Sequence, residues 1–303
     1  MTHNHPPRWT RRRLLGGAAG LATLGSFAAA CGGADAGAGA AGTAATGGGP
    51  VAASGRAANP ISSRSTTGTG TGGVDADLLK QRYGLAPFAA APAAPNAKPI
   101  ALDAQDPTIF SNVPTTEKIC FVTIDDGIDK DPAFIQMVKD FQIPITISLA
   151  DCLIRDDYAY FEKLHETGFV SIQNHTVNHP LSMPSLSFQE QLDEIAGQQT
   201  KLEREYGVSP YIFRPPGGNY DSVTREATRA AGLKGMMLWK EAMEIDNMEY
   251  QTSDKHLQPG DIILCHFRGP AQLKGETMVQ MMTRLYSHIQ AQGFTVADVT
   301  KYV

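Results

Sequence analysis

From Glu117 to Val303, short apolar runs alternate with segments of helical periodicity, and this alternation constrains the fold more than any other feature of the chain. The runs KICFVTI, IPITISLA, FVSIQN, YIFR, LKGMML, DIILCH and FTVAD predict strands. The intervening segments DPAFIQMVKDF, YAYFEKLHETG, SFQEQLDEIAGQQTKLEREYG, DSVTREATRAAG and AQLKGETMVQMMTRLYSHIQAQG predict helices. Repeated strand–helix units of this kind predict a parallel sheet, either open and doubly wound or closed into a barrel.

The N-terminus has the pattern of an export signal. The basic stretch RRRLL begins a weakly apolar run that ends at residue 30, which is short for a bilayer span of about 20 apolar residues. RRRLL resembles a twin-arginine signal, and AAAC resembles the cleavage site of a lipoprotein. The resemblance implies that residues 1–30 are a signal peptide and that Cys31 is lipidated. A plain cleaved signal and an uncleaved anchor are the alternatives.

The remaining chain divides by composition. Residues 31–73 are mostly Gly, Ala, Ser and Thr, which cannot bury a core, so we predict a disordered linker. In residues 74–114, DADLLKQRYGL predicts a short helix and APFAAAPAAPNAKP an extended strap that packs on the domain. Residues 115–303 form the predicted catalytic domain.

Charge and cysteine content restrict the possible partners. Residues 1–30 carry four arginines and no acidic residue, so their removal changes the formal charge from −5 to about −9. With this charge and without a basic stripe, we expect no nucleic-acid partner. Beyond Cys31 an odd number of cysteines remains, so not all can pair. We expect buried thiols, with a Cys120–Cys265 bridge as the alternative.

Polar residues follow four of the predicted strands. Because the C-terminal ends of parallel strands meet at one edge, we expect these side chains to form one site. One aspartate with two histidines at positions i and i+4 suits a divalent ion such as zinc and leaves coordination positions open. A neighbouring carboxylate then stays available as a base. The residues are Asp125, Asp126, His175, His179, Arg214 and His266.

The motifs TIDDG, NHTVNH, FRPPGGNY and IILCH, in this order, resemble the successive motifs of the polysaccharide deacetylase family, the NodB-homology carbohydrate esterases. The similarity covers about residues 115–303. It implies an α/β fold, a distorted (β/α) barrel of the NodB type with fewer than eight regular strands. It also implies a hydrolase that acts on carbon–nitrogen amide bonds and removes acetyl groups from N-acetylated sugar polymers with a metal ion.

Carried over residue by residue, the resemblance implies a role for each polar residue. Asp125 is the general base, Arg214 holds it, and His266 is the general acid. Asp246 in EIDNMEY corresponds to an acidic residue that tunes the acid histidine. The implied metal is zinc, with cobalt or nickel as alternatives. Its implied ligands are Asp126, His175 and His179.

The chain departs from the family pattern around the substrate. Gly217 stands where the family usually has an aromatic residue, so its backbone N–H can help to hold an oxyanion but the aromatic wall is missing. A groove for the acetyl methyl group would then use Trp239, Leu264 or Met237, although Trp239 also fits ordinary core packing. The implied substrate-contacting residues of the motif are Pro215, Pro216 and Gly217.

The leading hypothesis is therefore a polysaccharide N-deacetylase that acts on peptidoglycan or a chitin-like polymer. It would be anchored through Cys31 to the outer face of the cell membrane, or otherwise secreted. One alternative is an esterase for O-acetylated carbohydrate such as xylan. Another is a non-catalytic, glycan-binding lipoprotein on the same scaffold. The sequence does not indicate an oligomeric state.

Overall fold

A computed structural model describes residues 74–303 of the chain. The predicted signal peptide, the predicted linker and the predicted lipidation site Cys31 lie outside the described residues. Within residues 74–303, none of the helices has the length and apolar content needed to cross a bilayer.

Ten strands and seven α-helices alternate along the described residues. The strands are β1 Thr108–Phe110, β2 Ile119–Asp126, β3 Ile145–Leu149, β4 Val170–Asn174, β5 Ile212–Phe213, β6 Gly235–Met237, β7 Glu241–Met243, β8 Met248–Tyr250, β9 Ile262–His266 and β10 Thr295–Val296. The helices are α1 Ala76–Tyr83, α2 Pro132–Phe141, α3 Asp151–Ile154, α4 Tyr158–His165, α5 Phe188–Tyr206, α6 Ser222–Ala230 and α7 Met278–Ala291.

The strands form a curled, mixed sheet in the order β1-β6-β5-β4-β3-β2-β9-β7-β8, and β10 pairs with β2. Neighbouring strands are parallel except for the β7–β8 hairpin. Four strands, β2, β3, β4 and β9, have five residues or more. The predicted distorted (β/α) barrel with fewer than eight regular strands is thus confirmed, as a curled half-barrel. The C-terminal ends of its parallel strands lie on one edge.

Burial follows the predicted periodicities. All eight positions of β2 are buried, as expected for a central strand covered on both faces. Helix α2 buries residues at positions i, i+3, i+4 and i+7, which form one apolar stripe. Each fully buried large apolar side chain contributes about 1.5–3 kcal/mol relative to exposure. The buried residues of α2 are Phe134, Met137, Val138 and Phe141.

Helix boundaries are set by capping residues. The predicted capping box of Ser187 and Glu190 begins α5, as expected. The prediction for α7 was wrong at its start, because the helix begins at Met278 and not at Ala271. Thr277 forms a capping box with Gln280, and the preceding Gly275 has a φ of 94°, which interrupts the helical backbone.

Residues 74–114 contact the barrel at several points. Helix α1 forms where the sequence predicted it, and Arg82 pairs with Asp140 of α2 at 2.8 Å. Further along, Gln290 of α7 donates a hydrogen bond to the carbonyl of Ala86 at 2.7 Å. The segment then adds β1 to the sheet beside β6. The sequence missed β1 and the β7–β8 hairpin, whose strands have only three residues each.

Candidate active site

Strand pairing brings the polar residues of the C-terminal edge together. β2 lies between β3 and β9, and Asp125 is the register partner of His266 on β9 and of Ser148 on β3. The N–H of Phe267 donates to the carbonyl of Asp125 at 3.1 Å, which fixes the two strand ends against each other. The residues that the sequence placed at separate strand ends are therefore neighbours.

Asp126, His175 and His179 form a compact group. Each offers a ligand atom, and these atoms all lie within 4.8 Å of one another. The Nε2 atoms of the two histidines are 3.2 Å apart, and Asp126 Oδ1 lies 3.5 Å from that of His175 and 3.1 Å from that of His179. One carboxylate oxygen and two imidazole nitrogens converging at these distances can hold a divalent cation.

Hydrogen bonds orient the first histidine. His175 Nδ1 lies 2.6 Å from the backbone carbonyl of Arg214, so we assign the proton to Nδ1. In the neutral imidazole, the Nε2 lone pair then faces Asp126 and His179. A metal-binding histidine commonly has such a hydrogen bond from its second nitrogen, because it fixes both the tautomer and the ring orientation.

The electrostatics of this group keep the carboxylate charged. Burial alone would raise the pKa of Asp126, but the adjacent imidazoles of His175 and His179 hold that pKa well below its usual range. Burial alone would lower the pKa of His175, and the carboxylates of Asp125 and Asp126 raise it instead. Asp126 therefore carries a negative charge that attracts a cation.

Arg214 holds the second carboxylate. Its side chain is fully buried, and its Nη1 donates to Asp125 Oδ2 at 3.1 Å while Nη2 donates to the hydroxyl of Thr123 at 3.1 Å. Burial lowers the pKa of Arg214, and the charge of Asp125 opposes that shift. Among residues 74–303, Asp125 Oδ1 has no hydrogen-bond partner. One oxygen of Asp125 is thus held and the other is available.

His266 lies across the sheet edge from Asp125 in a partly buried position. Burial lowers its pKa, which the charges of Asp126, Asp125 and Glu244 raise and that of Arg268 lowers. Arg268 Nη1 pairs with Glu244 Oε2 at 3.0 Å. The acidic residue from the β7–β8 hairpin that acts on His266 is therefore Glu244.

Asp246 does not join this group. It is exposed in the hairpin turn and lines a separate cleft with Arg284 and Asn247, and its charge contributes to the raised pKa of Arg284. The sequence assigned the tuning role to Asp246 by motif position, whereas strand β7 places Glu244, two residues earlier, nearer to His266. The alternation of side chains along an extended segment could not separate these two acids without knowing where the strand ends.

The RPPGG loop lies beside Arg214. Pro215 and Pro216 are buried, whereas Gly217 is exposed, and Gly217 and Gly218 have φ values of 61° and 66°. A Cβ atom at position 218 would lie 2.8 Å from the ring of Trp239. The Trp239 ring in turn lies 5.4 Å from the Arg214 guanidinium in a cation–π arrangement.

Leu264 and Trp239 occupy different environments among the predicted substrate contacts. Leu264 is buried inside β9, between Thr123 of β2 and Ala242 of β7 in the register. Trp239 is partly buried beside the site, where it covers Arg214. Both proposed environments for Trp239 thus apply, since it packs on an apolar cluster and also borders the site.

Sequence reasoning missed Leu181. This residue follows the second histidine of the group and is one of the exposed large apolar residues of the described chain. Its carbonyl accepts a hydrogen bond from Asn219 Nδ2 at 2.7 Å, which joins its loop to the RPPGG loop. One sequence feature could have indicated this exposure: Leu181 is an apolar residue directly after NHTVNHP, outside any predicted helix or strand.

No disulfide forms among Cys120, Cys152 and Cys265 in the described part of the chain. Cys120 and Cys265 are buried, and burial raises the pKa of both thiols well above its usual range. Both thiols therefore stay protonated at neutral pH. The expectation of buried thiols is confirmed for these two residues, and the alternative bridge between them is not formed.

The fold and this arrangement of side chains define the class of protein. Residues 112–236 match the family model described as polysaccharide deacetylase. An uncharacterized protein of Streptomyces coelicolor is 34% identical over 198 residues, which cover 65% of this chain and 78% of the relative. The chain therefore belongs to the polysaccharide deacetylase family.

Two further comparisons extend this result. The peptidoglycan-N-acetylglucosamine deacetylase of Bacillus cereus is 24% identical over 202 residues, covering 63% of this chain and 92% of the relative. The structure of a CE4 family pseudoenzyme from Bacillus anthracis superimposes with a TM-score of 0.54 at 17% identity, covering 65% of this chain and 69% of that one. The structural similarity establishes the fold, and family membership supports deacetylase activity.

Proposed function

We propose that this chain is a metal-dependent hydrolase that removes acetyl groups from an N-acetylhexosamine polymer, peptidoglycan or chitin-like, outside the cell membrane. One observation carries the proposal: the consecutive carboxylates Asp125 and Asp126 have different partners. Asp126 faces two histidines, whereas Asp125 is held by Arg214. The name of the Bacillus cereus relative supports a peptidoglycan substrate.

The residues present suit a divalent metal ion. Two imidazole Nε2 atoms 3.2 Å apart cannot satisfy each other when both are neutral acceptors, and a cation between them and Asp126 Oδ1 resolves the arrangement. Nitrogen and carboxylate donors favour zinc, and they also accept cobalt or nickel. When bound there, such an ion supplies Lewis-acid polarisation of the acyl carbonyl and makes a coordinated water more acidic.

Asp125 is the proposed general base. Arg214 fixes its Oδ2, while Oδ1 remains available to accept a proton from the attacking water. Because Arg214 is fully buried, it also fixes the direction in which the carboxylate points. This accounts for the burial of two adjacent acids at the end of β2.

His266 is the proposed general acid. Its register pairing with Asp125 places the two residues side by side at the strand ends, and in the proposed reaction His266 protonates the leaving amine nitrogen. The pair formed by Glu244 and Arg268 places one charge of each sign beside it. An amine leaves far more readily when protonated, so amide cleavage requires this proton.

Substrate contacts and location complete the proposal. Pro215, Pro216, Gly217 and Trp239 border the site, and Leu264 lies beneath it in β9. The sequence patterns RRRLL and AAAC support export and a lipid anchor at Cys31, with residues 1–30 removed and residues 31–73 as a tether.

An O-acetyl ester is a second candidate substrate. The exposed Gly217 places no side chain beside the reacting group, which leaves room for a substrate with a different leaving group. The same base and metal ligands would serve, since an alkoxide leaves more readily than an amine and requires less help from His266.

The experiment that tests the proposal is acetate release from N-acetylglucosamine oligomers and from peptidoglycan by the full chain. We expect release that stops with chelator, returns with added zinc and is lost in Asp125→Asn. Acetylated xylan, assayed in parallel, separates the ester substrate from the amide. Zinc binding without release from any of these polymers would contradict the proposal and favour a glycan-binding role.

A further inference from the structure

The loop that joins the two histidines has an unfavourable backbone. Thr176 has a φ of 74° and His179 a φ of 54°, both in the left-handed region that side chains with a Cβ disfavour, and for the β-branched Thr176 this is an outlier. Such a conformation persists only where the surroundings determine it. The contacts that hold residues 175–179 therefore decide where the His179 imidazole lies.

Several contacts fix the first half of this loop. Asn174 Oδ1 accepts from the N–H of Thr176 at 3.0 Å, and the Thr176 hydroxyl accepts from the N–H of His179 at 3.1 Å. The carbonyl of Thr176 accepts from the N–H of Asp151 at 3.2 Å. These contacts are made by neutral groups.

Glu194 of helix α5 holds the second half at two consecutive residues, Val177 and Asn178. Its carbonyl accepts from the N–H of Val177 at 3.1 Å. Its carboxylate is bidentate towards Asn178: Oε2 accepts from the backbone N–H and Oε1 from the side-chain Nδ2, both at 2.7 Å. Bonds of this length to an ionised acceptor are stronger than bonds between neutral groups.

Asn178 is the residue directly before His179, and this position gives the contact its consequence. A carboxylate that grips both the main chain and the side chain of Asn178 restricts the backbone torsions that aim the next imidazole. Glu194 is partly exposed on the outer helix. It acts on the site through Asn178.

We infer that Glu194 is a positioning residue that sets the affinity of the Asp126–His175–His179 group for its metal ion, by holding Asn178. The inference rests on the proposed metal-dependent function. If a ligand side chain must be ordered when the ion binds, the affinity for the ion is lower. Residues that hold metal ligands in place by hydrogen bonds commonly change metal affinity by about 10- to 100-fold.

The test is the zinc dissociation constant of the full chain, measured by competition with a chromogenic chelator. We expect Glu194→Ala to raise the constant by about 10- to 100-fold, because both acceptors are lost. Glu194→Gln should recover part of the affinity, since its amide oxygen still accepts from the Asn178 N–H. Glu203→Ala is the matched control, because it removes an exposed acid from the same helix, and it should stay within about twofold of the parent.

A constant for Glu194→Ala within about twofold of the parent would overturn the inference while leaving the proposed function in place. A parent chain that binds no zinc would overturn both. If Glu194→Ala does not fold, Asn178→Ala provides the same measurement, since it removes the side-chain half of the bidentate contact and keeps the backbone N–H. Unchanged affinity in both Asn178→Ala and Glu194→Gln would then overturn the inference.

Discussion

Two pairs of buried carboxyl groups lie at opposite ends of the barrel strands, and they have opposite electrostatics. Asp125 and Asp126 end β2 beside Arg214 and the two histidines, and the pKa of Asp126 is held well below its usual range. Glu241 begins β7, and Asp261 directly precedes β9. Burial, followed by the charge of Asp261, raises the pKa of Glu241 to about 9.

The comparison shows that partners, more than burial, decide what a pair of acids holds. Asp125 is 2% exposed, Glu241 is 1% exposed and Asp261 is 4% exposed. Two imidazoles keep Asp126 charged and able to hold a cation, whereas the second pair keeps a proton between two carboxyl groups. The same residue types therefore serve the site at one edge and packing at the other.

Removing the cation from the first pair should have the largest effect on stability. In Arg214→Met the Asp125 carboxylate stays buried without its partner, and loss of one member of a buried ion pair lowers the free energy of unfolding by about 3–5 kcal/mol. Urea denaturation measures this. Arg204→Met, which breaks the exposed pair with Glu205, is the control and should change stability far less, because an exposed ion pair contributes little. Equal effects of the two substitutions would contradict the comparison.

The second pair should make stability depend on pH. The pKa of Glu241 in the folded chain, about 9, is above its ordinary 4.5, so its stabilising proton is fully present below pH 4.5 and is lost as the pH rises towards 9. The free energy of unfolding should fall across this window by up to about 1.4 kcal/mol per pH unit. Glu241→Gln should flatten that slope, measured by denaturation at pH 5 to 9.

The control for this slope is Glu249→Gln, which changes an exposed acid on the neighbouring strand β8. It should leave the slope as in the parent. Parallel curves for the parent and Glu241→Gln would show that Glu241 does not hold a proton in the folded chain.

A smaller loss of stability should follow when the Trp239 ring, which lies over Arg214, is displaced. Gly218→Ala places a Cβ 2.8 Å from the Trp239 ring at a φ of 66°. Gly207→Ala is a close match, because Gly207 has a φ of 65° and an open position around its Cα. The difference between the two losses of stability isolates the steric contact, and we expect it to be about 1–3 kcal/mol. A shift in tryptophan fluorescence should accompany Gly218→Ala, and equal losses without a shift would show that Trp239 moves freely.

The smallest effect is expected at Asp246. Because this residue is exposed and lies away from His266, Asp246→Asn should leave kcat/KM within about twofold of the parent. Glu244→Gln should lower kcat/KM more than Asp246→Asn does, because the charge of Glu244 acts on His266 and pairs with Arg268. Acetate-release kinetics compare the two, and a larger loss in Asp246→Asn would restore the role that the motif position suggested.

The C-terminal edge could be predicted from the sequence because its residues depend on local patterns. Apolar runs fix where β2, β4 and β9 end, and parallel strands then bring Asp125, His175 and His266 to one edge. The capping box at Ser187 is likewise a local pattern. Motif order supplied the expected roles.

The opposite edge could not be predicted, since it depends on pairing between distant segments. Nothing in the three-residue strand β7 indicates that Glu241 will be buried against Asp261, which directly precedes the neighbouring strand β9. The left-handed backbone of Thr176 also depends on tertiary contacts, since local propensity disfavours it for a β-branched residue. The hydrogen bonds from Asn178 to Glu194 likewise join segments that are distant in sequence.

The most direct test of the account is a calorimetric zinc titration at neutral pH of three proteins: the parent, Asp126→Asn and Glu241→Gln. We expect one zinc ion per chain in the parent and in Glu241→Gln, because among residues 74–303 the Asp126 group alone presents converging ligands. We expect no binding in Asp126→Asn. A parent that binds no zinc, or zinc binding that survives Asp126→Asn, would contradict the account.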